Sequence, residues 1–579
     1  MGIKHFWAWF SKQHRDCIQT VHTRDTLPKH GVHIDTLVLD LNGIFHPAAQ
    51  KVFKYGKNEE TGKRLLPRRQ APLSRRDLER NTFKEVGKMI SELVDKVQPR
   101  KRLLLCVDGV AGCSKCVQQR SRRFKSAKER DEKAKESGGA ESDRCPFDSA
   151  CITPGTVFMD KLNRYIDWYA RAQIQSNPRW RNLDVVFSNE KVPGEGEHKG
   201  LQMMKRYCDP EETFCIYGLD ADLIMLCLAL QRPNVYVYRD NAYKESERFI
   251  INIGLFAKRI KKDLGTDTAI QDFIFMCFMV GNDFLPQLPG LEIINQGIER
   301  LLSVYRETCR PFGLVAPHTF RIRIDALMRY LRALSSVEEQ ALKDKYKIRH
   351  KFNKDELMEQ HFYYDLTQEQ KGGGRIVGCR FAEFKEAYYA KKLSGIPVKS
   401  VCHEYLKGLH WIILYYMDKI PSWTWNYPYH YGPFIDDLST CGDYTFRPFA
   451  PSTALLPFQQ LLAVLPPQSS GLLPPVLAKL MTDAHSPLIG YYPTEFSVDL
   501  SGKRAEWEGI ALLPMIIFPD LKEFYNKTAS MIDAREKRRN AHQLSVRYIR
   551  TEERPFTLRS EFGDLRKCII RTLPFEYME

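Results

Sequence analysis

The sequence has no long hydrophobic run. Its most apolar stretches, around residues 273–280 and 509–518, are about half the ~18–20 residues that a membrane-spanning helix requires, so no membrane partner is expected. The opening MGIKHFWAWFSKQH lacks the apolar core and small-residue cleavage site of a secretory signal. Phe6 also stands where a myristoylated start carries Ser or Thr. An intracellular, reducing setting is expected, cytoplasmic with the nucleus as the alternative, since REKRR at 535–539 is only a weak import signal. There is no internal repeat and no sustained heptad, which excludes solenoids and coiled coils. A disulfide framework is missing too: the 15 cysteines are odd in number and scattered, and Cys106, Cys215 and Cys277 sit inside apolar runs as buried thiols would. The one C-x-x-C, Cys113 and Cys116, is a weak zinc half-site with Cys145 and Cys151. Nor is there an excess of acid: 87 Lys and Arg against 71 Asp and Glu leave a net charge of +16, which favours a polyanionic partner.

What is present, over the first 300 residues, is alternation. Short runs rich in Val, Ile, Leu, Phe and Tyr occur at 36–43 (TLVLDLNG), 102–109 (RLLLCVDG), 183–189 (LDVVFSN), 213–220 (TFCIYGLD) and 234–239 (NVYVYR), separated by helical patterns such as 76–96. This predicts an α/β fold with a mostly parallel central sheet covered by helices. Polar insertions interrupt it at 51–73 and 127–144. A helical connector and linker is expected over 301–400, with a boundary in the glycine run of 368–375 (QEQKGGGR). A second, mainly helical and irregular lobe over 401–579 would pack on a first domain of 1–300.

Three apolar runs end in aspartate: Asp40, Asp108 and Asp220, with Asp222 two residues later. Ligands of open α/β sheets bind beyond the carboxyl ends of the strands, so acids at neighbouring ends converge. Glu195 and Glu197 in VPGEGEHKG and Asp283 in MVGNDFLPQLP extend the set to seven. Any one of these acids alone reads as a turn former or a helix cap. Their recurrence at successive strand ends points instead to a site for divalent cations, Mg²⁺ or Mn²⁺, and seven acids are enough for two ions ~3.5–4 Å apart.

The segment after Asp108 is helical in composition and places Lys115, Gln119, Arg122 and Arg123 at i, i+4, i+7 and i+8, on one face without an acid among them. Such a stripe suits phosphate. His46 follows Asp40 by six residues, and Trp423, Trp425, Tyr427, Tyr429, His430 and Tyr431 crowd a later loop. Exposed aromatics of this kind stack on unpaired bases, although most such rings serve a core.

The strings MGIKHFWAWFS, DLNGIFH, VDGVAGCSKCVQQRSRRFKSA, ITPGTVFM, VPGEGEHKG, YGLDADLIML, QDFIFMCFMVGNDFLPQLP, SWTWNYPYHYGPF, PFQQLLAVLPPQSSGLLP and TEFSVDLSGKRAEWEGIALLP closely resemble the Xrn family of 5′-to-3′ exoribonucleases, from residue 1 to about 520. The resemblance implies a core related to PIN and flap-endonuclease-like nucleases, with two Mg²⁺ ions (Mn²⁺ as substitute) held by Asp40, Asp108, Glu195, Glu197, Asp220, Asp222 and Asp283. It implies a 5′-monophosphate pocket of Lys115, Gln119, Arg122 and Arg123, and base stacking by His46 with Trp423 or Trp425. The implied activity is processive 5′-to-3′ hydrolysis of 5′-monophosphorylated single-stranded RNA to mononucleotides by two-metal-ion catalysis, in RNA decay, by a monomer. The alternatives are a structure-specific 5′ DNA nuclease of the flap type and a degenerate RNA-binding relative; the latter would have lost a metal ligand. The sequence departs from the family pattern at Lys4, where Pro is usual, and at Gly112, Cys113 and Ser114, where Pro-Arg-Ala is usual.

Overall fold

A computed structural model describes residues 2–55, 74–136, 147–349, 353–369, 375–552 and 554–577. The insertions anticipated at 51–73 and 127–144, and the glycine run at 368–375, lie partly outside the described residues, and Cys145 lies wholly outside them. No described helix is long and apolar enough to cross a membrane.

The apolar runs become strands β2 (Thr36–Asp40), β3 (Arg102–Cys106), β4 (Asp184–Ser188), β5 (Phe214–Tyr217) and β6 (Val235–Asp240). They are mutually parallel, in the order β6-β5-β2-β3-β4. Antiparallel β7 (Glu247–Asn252) and β1 (Ile18–His22) close one edge. The other edge differs from the expected division of the chain: β8 (Ser545–Arg550) pairs antiparallel with β4, and β9 (Ile570–Phe575) pairs with β8. The last segment is therefore part of the nine-stranded central sheet, and not only of a second lobe.

Successive residues of a strand point to opposite faces, and the parallel strands are apolar on both. On one face Val38, Leu104, Cys106, Val186 and Ile216 meet Leu201, Met203 and Met204 of helix α6 (Gly196–Arg206). On the other, Leu37, Leu39, Leu103, Leu105 and Val185 meet Phe83, Val86 and Ile90 of α3 (Arg75–Val97) and Leu162 and Ile166 of α5 (Val157–Ser176). α6 lies very close to β2, because a Cβ at Gly200 would be 2.5 Å from Val38 Cγ1.

After β3 the chain enters α4 (Cys113–Glu136), which absorbs the described part of the charged 127–144 segment. The start of α4 carries Cys113 and Cys116 into an apolar cluster with Phe458, Leu461 and Leu462 of helix Pro457–Val464. These thiols are core residues; among the described residues the one group suited to a metal is made of carboxylates.

Candidate active site

β5, β2, β3 and β4 are consecutive neighbours in the sheet, so whatever follows their carboxyl ends shares one crevice. Asp40 is the last residue of β2, Asp108 follows β3 by two residues, Glu195 and Glu197 sit at the start of α6 after β4, and Asp220 and Asp222 follow β5. Carboxylate oxygens of Asp40, Asp108 and Glu197 all lie within 4.8 Å of one another. The backbone holds them there. The Gly196 amide donates to Asp108 Oδ1 (2.7 Å), the Asn42 amide to Asp40 Oδ1 (3.2 Å), and the Asp108 amide to Asn42 Oδ1 (3.0 Å). Asn42 carries a positioning role that the sequence reading passed over, although it stands two residues after Asp40.

Asp40, Glu195, Glu197 and Asp222 are buried, while Asp220 lies exposed at the rim. Burial pushes the Asp40 carboxyl well above its ordinary range, and the charges of Asp108 and Asp220 push it further. Glu197 is raised in the same way, by burial and then by Asp40 and Glu195. Burial and the Asp220 charge lift Asp222 to about 7. Asp222 Oδ1 is also buried without a hydrogen-bond partner among the described residues. Buried, mutually repelling, all-oxygen donors with an unsatisfied acceptor fit a hard divalent cation.

The Lys115 side chain enters the cluster. Lys115, in the first turn of α4, places Nζ 2.5 Å from Glu195 Oε2 and 2.8 Å from Asp283 Oδ2. Although burial opposes it, the charges of Asp283 and Glu195 hold the ammonium well above its usual range. Tyr415, on helix Val398–Met417, donates its hydroxyl to Glu195 Oε1 (2.8 Å), and its ring stacks on His198 at 3.8 Å. Gln118 Nε2 reaches Asp283 Oδ1 at 3.5 Å. Helical spacing marked the face of α4 but did not reveal Gln118 or Tyr415; the latter comes from a helix some 220 residues beyond Glu195.

The other members of the basic stripe take distinct positions. Arg122 is exposed, and its charge acts on both Asp220 and His46. Arg123 donates to Thr153 Oγ1 (2.6 Å) and Ala150 O (3.3 Å), and burial and the Arg122 charge lower it to about 10. Gln119 is buried and accepts from Gln460 Nε2 at 3.3 Å. His46, on α2 (Asn42–Phe53), is lowered to about 4 by burial and by the charges of Arg122 and Arg123, so its imidazole is neutral at physiological pH. Of the two tryptophans, Trp425 is a core residue, 7% exposed and stacked on Trp411 at 5.4 Å. Trp423 is half-buried, and its carbonyl accepts from the Cys113 amide (2.8 Å) at the start of α4.

Two family models match the chain: the XRN 5′-3′ exonuclease N-terminus over residues 1–241, and the Xrn1 helical domain over residues 263–375 and 377–564. Human 5′-3′ exoribonuclease 1 is 29% identical over an alignment covering 99% of this chain and 37% of its own length. For the Drosophila melanogaster 5′-3′ exoribonuclease 2 homolog the values are 28%, 93% and 72%, and for Schizosaccharomyces pombe 5′-3′ exoribonuclease 1 they are 27%, 100% and 53%. The chain thus spans about a third of the human relative's length and about half of the fission-yeast one's. Among solved structures, the T5 D15 protein aligns over 54% of this chain and 87% of its own, at 10% identity and a TM-score of 0.27, too low a likeness to argue from. The two model matches account for nearly the whole length, and the chain belongs to the XRN 5′-3′ exonuclease family.

Proposed function

We propose that the protein hydrolyses 5′-monophosphorylated single-stranded RNA from its 5′ end, releasing mononucleotides, in RNA decay. The observation that carries this reading is the convergence of Asp40, Asp108 and Glu197 within 4.8 Å beside the exposed Arg122 and the neutral His46. The relatives, which are named as 5′-3′ exoribonucleases, support the same reading.

Asp40, Asp108, Glu195, Glu197, Asp220, Asp222 and Asp283 would hold two Mg²⁺ ions, with Mn²⁺ as a substitute. Bound there, the ions supply Lewis-acid charge against the negative charge that builds at the reacting phosphate. The protein's own groups do the rest. Arg122 and Arg123, backed by Gln119, bind the terminal phosphate, and Lys115 joins this pocket to the acids by fixing Glu195 and Asp283. His46 offers an uncharged ring to the first base, since burial and then two neighbouring guanidinium groups disfavour the imidazolium, and Trp423 is its partner across the strand. Each cut leaves a new 5′-phosphate for the same pocket, so the strand advances without being released.

The test compares end-labelled RNAs that differ only in their 5′ group (monophosphate, triphosphate or hydroxyl), alongside a 5′-flap DNA, with Mg²⁺ or with EDTA. Mononucleotide release is expected from the monophosphorylated RNA with Mg²⁺ alone. Preference for the flap DNA, or indifference to the 5′ group, would overturn the reading.

A further inference from the structure

Trp507 alone among the eight tryptophans is exposed, at 52% of its surface. It lies in the short turn Glu506–Glu508 of a hairpin whose strands are Val498–Asp499 and Ile510–Ala511. The turn is fixed without using the indole. Lys125 Nζ, from α4, donates to the carbonyls of Trp507 (3.0 Å) and Gly509 (2.8 Å). Glu508 bonds His5 Nε2 (2.9 Å) through Oε1 and accepts the Arg504 amide (2.9 Å) through Oε2. The ring is approached by Lys4, an exposed residue whose Nζ is 5.8 Å from its centroid, and by the His5 ring at 6.0 Å. About half of the indole remains open to solvent.

The turn stands beside the carboxylate crevice. The backbone at Gly2 passes against Asp222, since a Cβ there would be 2.4 Å from Asp222 Cγ. His5 is three residues farther on, at most about 11 Å of chain. Lys125 lies one turn beyond Arg122 on α4, and Lys128, one turn farther, donates to the Phe496 carbonyl at 2.9 Å. A strip of cations thus leads from the acids to Trp507. Burial, and then the nearby Lys4 charge, lower Lys125 to about 8 against the opposing charge of Glu129.

A half-open indole beside cations, on a turn held by hydrogen bonds, is an arrangement that holds single-stranded nucleic acid, the ring stacking on any base and the cations following the backbone. We propose that Trp507 is a second stacking platform, which holds a base farther along the RNA strand after the 5′ end has been seated between His46 and Trp423. This rests on the RNA reading above, and the experiment separates the two.

The measurement is kcat/KM for release of the first nucleotide from monophosphorylated 12-mers carrying one abasic residue, walked along positions 3 to 9. In the wild-type protein an abasic residue at the platform position is expected to lower kcat/KM about tenfold, through KM. In Trp507→Leu that position should become insensitive, with the intact 12-mer itself about tenfold poorer and the terminal dinucleotide substrate unchanged. Trp507→Tyr should restore the position-specific loss, and it also reports should the Leu variant fail to fold. A profile that is flat in the wild type, or identical in all three proteins, overturns the platform alone. A wild-type protein that releases no nucleotide from any RNA overturns the function and the platform together.

Discussion

The Lys115 ammonium lies 2.5 Å from Glu195 Oε2, in a cluster rich in acids. The same nitrogen is 2.8 Å from Asp283 Oδ2, so one ammonium serves two carboxylates. Removing one partner of a buried ion pair leaves the other charge uncompensated, at a cost of about 3–5 kcal/mol. Lys115→Met is therefore expected to lose roughly that stability in EDTA. Divalent cations replace the missing charge, so saturating Mg²⁺ should shrink the deficit. Urea unfolding with and without Mg²⁺ measures it, and an equal deficit in both conditions would show that Lys115 is not compensating the acids.

Gly196 concerns geometry more than charge. Its amide donates to Asp108 Oδ1, and a Cβ at this position would fall 2.9 Å from Asp40 Oδ1 and 3.2 Å from the Cys106 carbonyl. The Asp40 side chain is the softer obstacle and would be displaced. Gly196→Ala should therefore cost about tenfold or more in kcat, while melting shifts only a few degrees. Gly109 provides the contrast: a Cβ there would be 1.8 Å from the Val192 carbonyl, a clash between backbones that no rotamer relieves. Gly109→Ala should be lost as a folded protein. Thermal melts beside single-turnover rates separate the two, and a Gly196→Ala enzyme with a wild-type rate would refute the displacement.

The parts of this architecture that were legible in the sequence are those written in local pattern. The runs ending at Asp40, Cys106, Ser188 and Tyr217 carry two apolar faces, as parallel strands between helices must, and the acids follow them directly. β8 and β9 escaped because SVRYIR and IRTLPF interleave charged residues with apolar ones, β9 is the sheet's edge, and β8's partner β4 lies some 360 residues earlier. Lys115 shows a second limit. Helical periodicity placed it on the face shared with Arg122, but only the fold shows that the first turn of α4 meets Glu195 and Asp283 while the third reaches His46. Trp423 and Trp425, two residues apart, were indistinguishable until Trp411 was seen stacked on Trp425.

Glu190 gives the protein a pH dependence apart from catalysis. It is 1% exposed, and its Oε2 has no hydrogen-bond partner among the described residues. Burial raises its carboxyl from 4.5 to about 7, against the opposing charges of Lys191 and Lys199 and with that of Asp160. Between these two values the folded state binds a proton that the unfolded state has released, so stability falls as pH rises through the window. Glu190→Gln should remove that slope. At pH 8 the variant is expected to be more stable by up to about 3 kcal/mol, and at pH 4.5 nearly equal to wild type. Denaturant unfolding at both values decides it, and a difference independent of pH would mean that Glu190 stays ionised.

On the proposed function, recognition of the 5′ end turns on Arg122. Arg123 has bonds to Ala150 and Thr153, Gln119 faces Gln460, and Lys115 is held by acids, whereas Arg122 is exposed beside His46 and Asp220. A guanidinium binding the terminal phosphate through charged hydrogen bonds contributes about 1.5–3 kcal/mol, or roughly 10- to 150-fold. Arg122→Ala should lose that factor in kcat/KM on 5′-monophosphorylated RNA and change little on 5′-hydroxyl RNA, so that the preference between the ends collapses. Arg122→Lys should recover only part of it, because an ammonium supplies charge without the fork. Competition between the two RNAs in one reaction reads the preference directly, and an Arg122→Ala enzyme that still prefers the monophosphate would place the pocket elsewhere on α4.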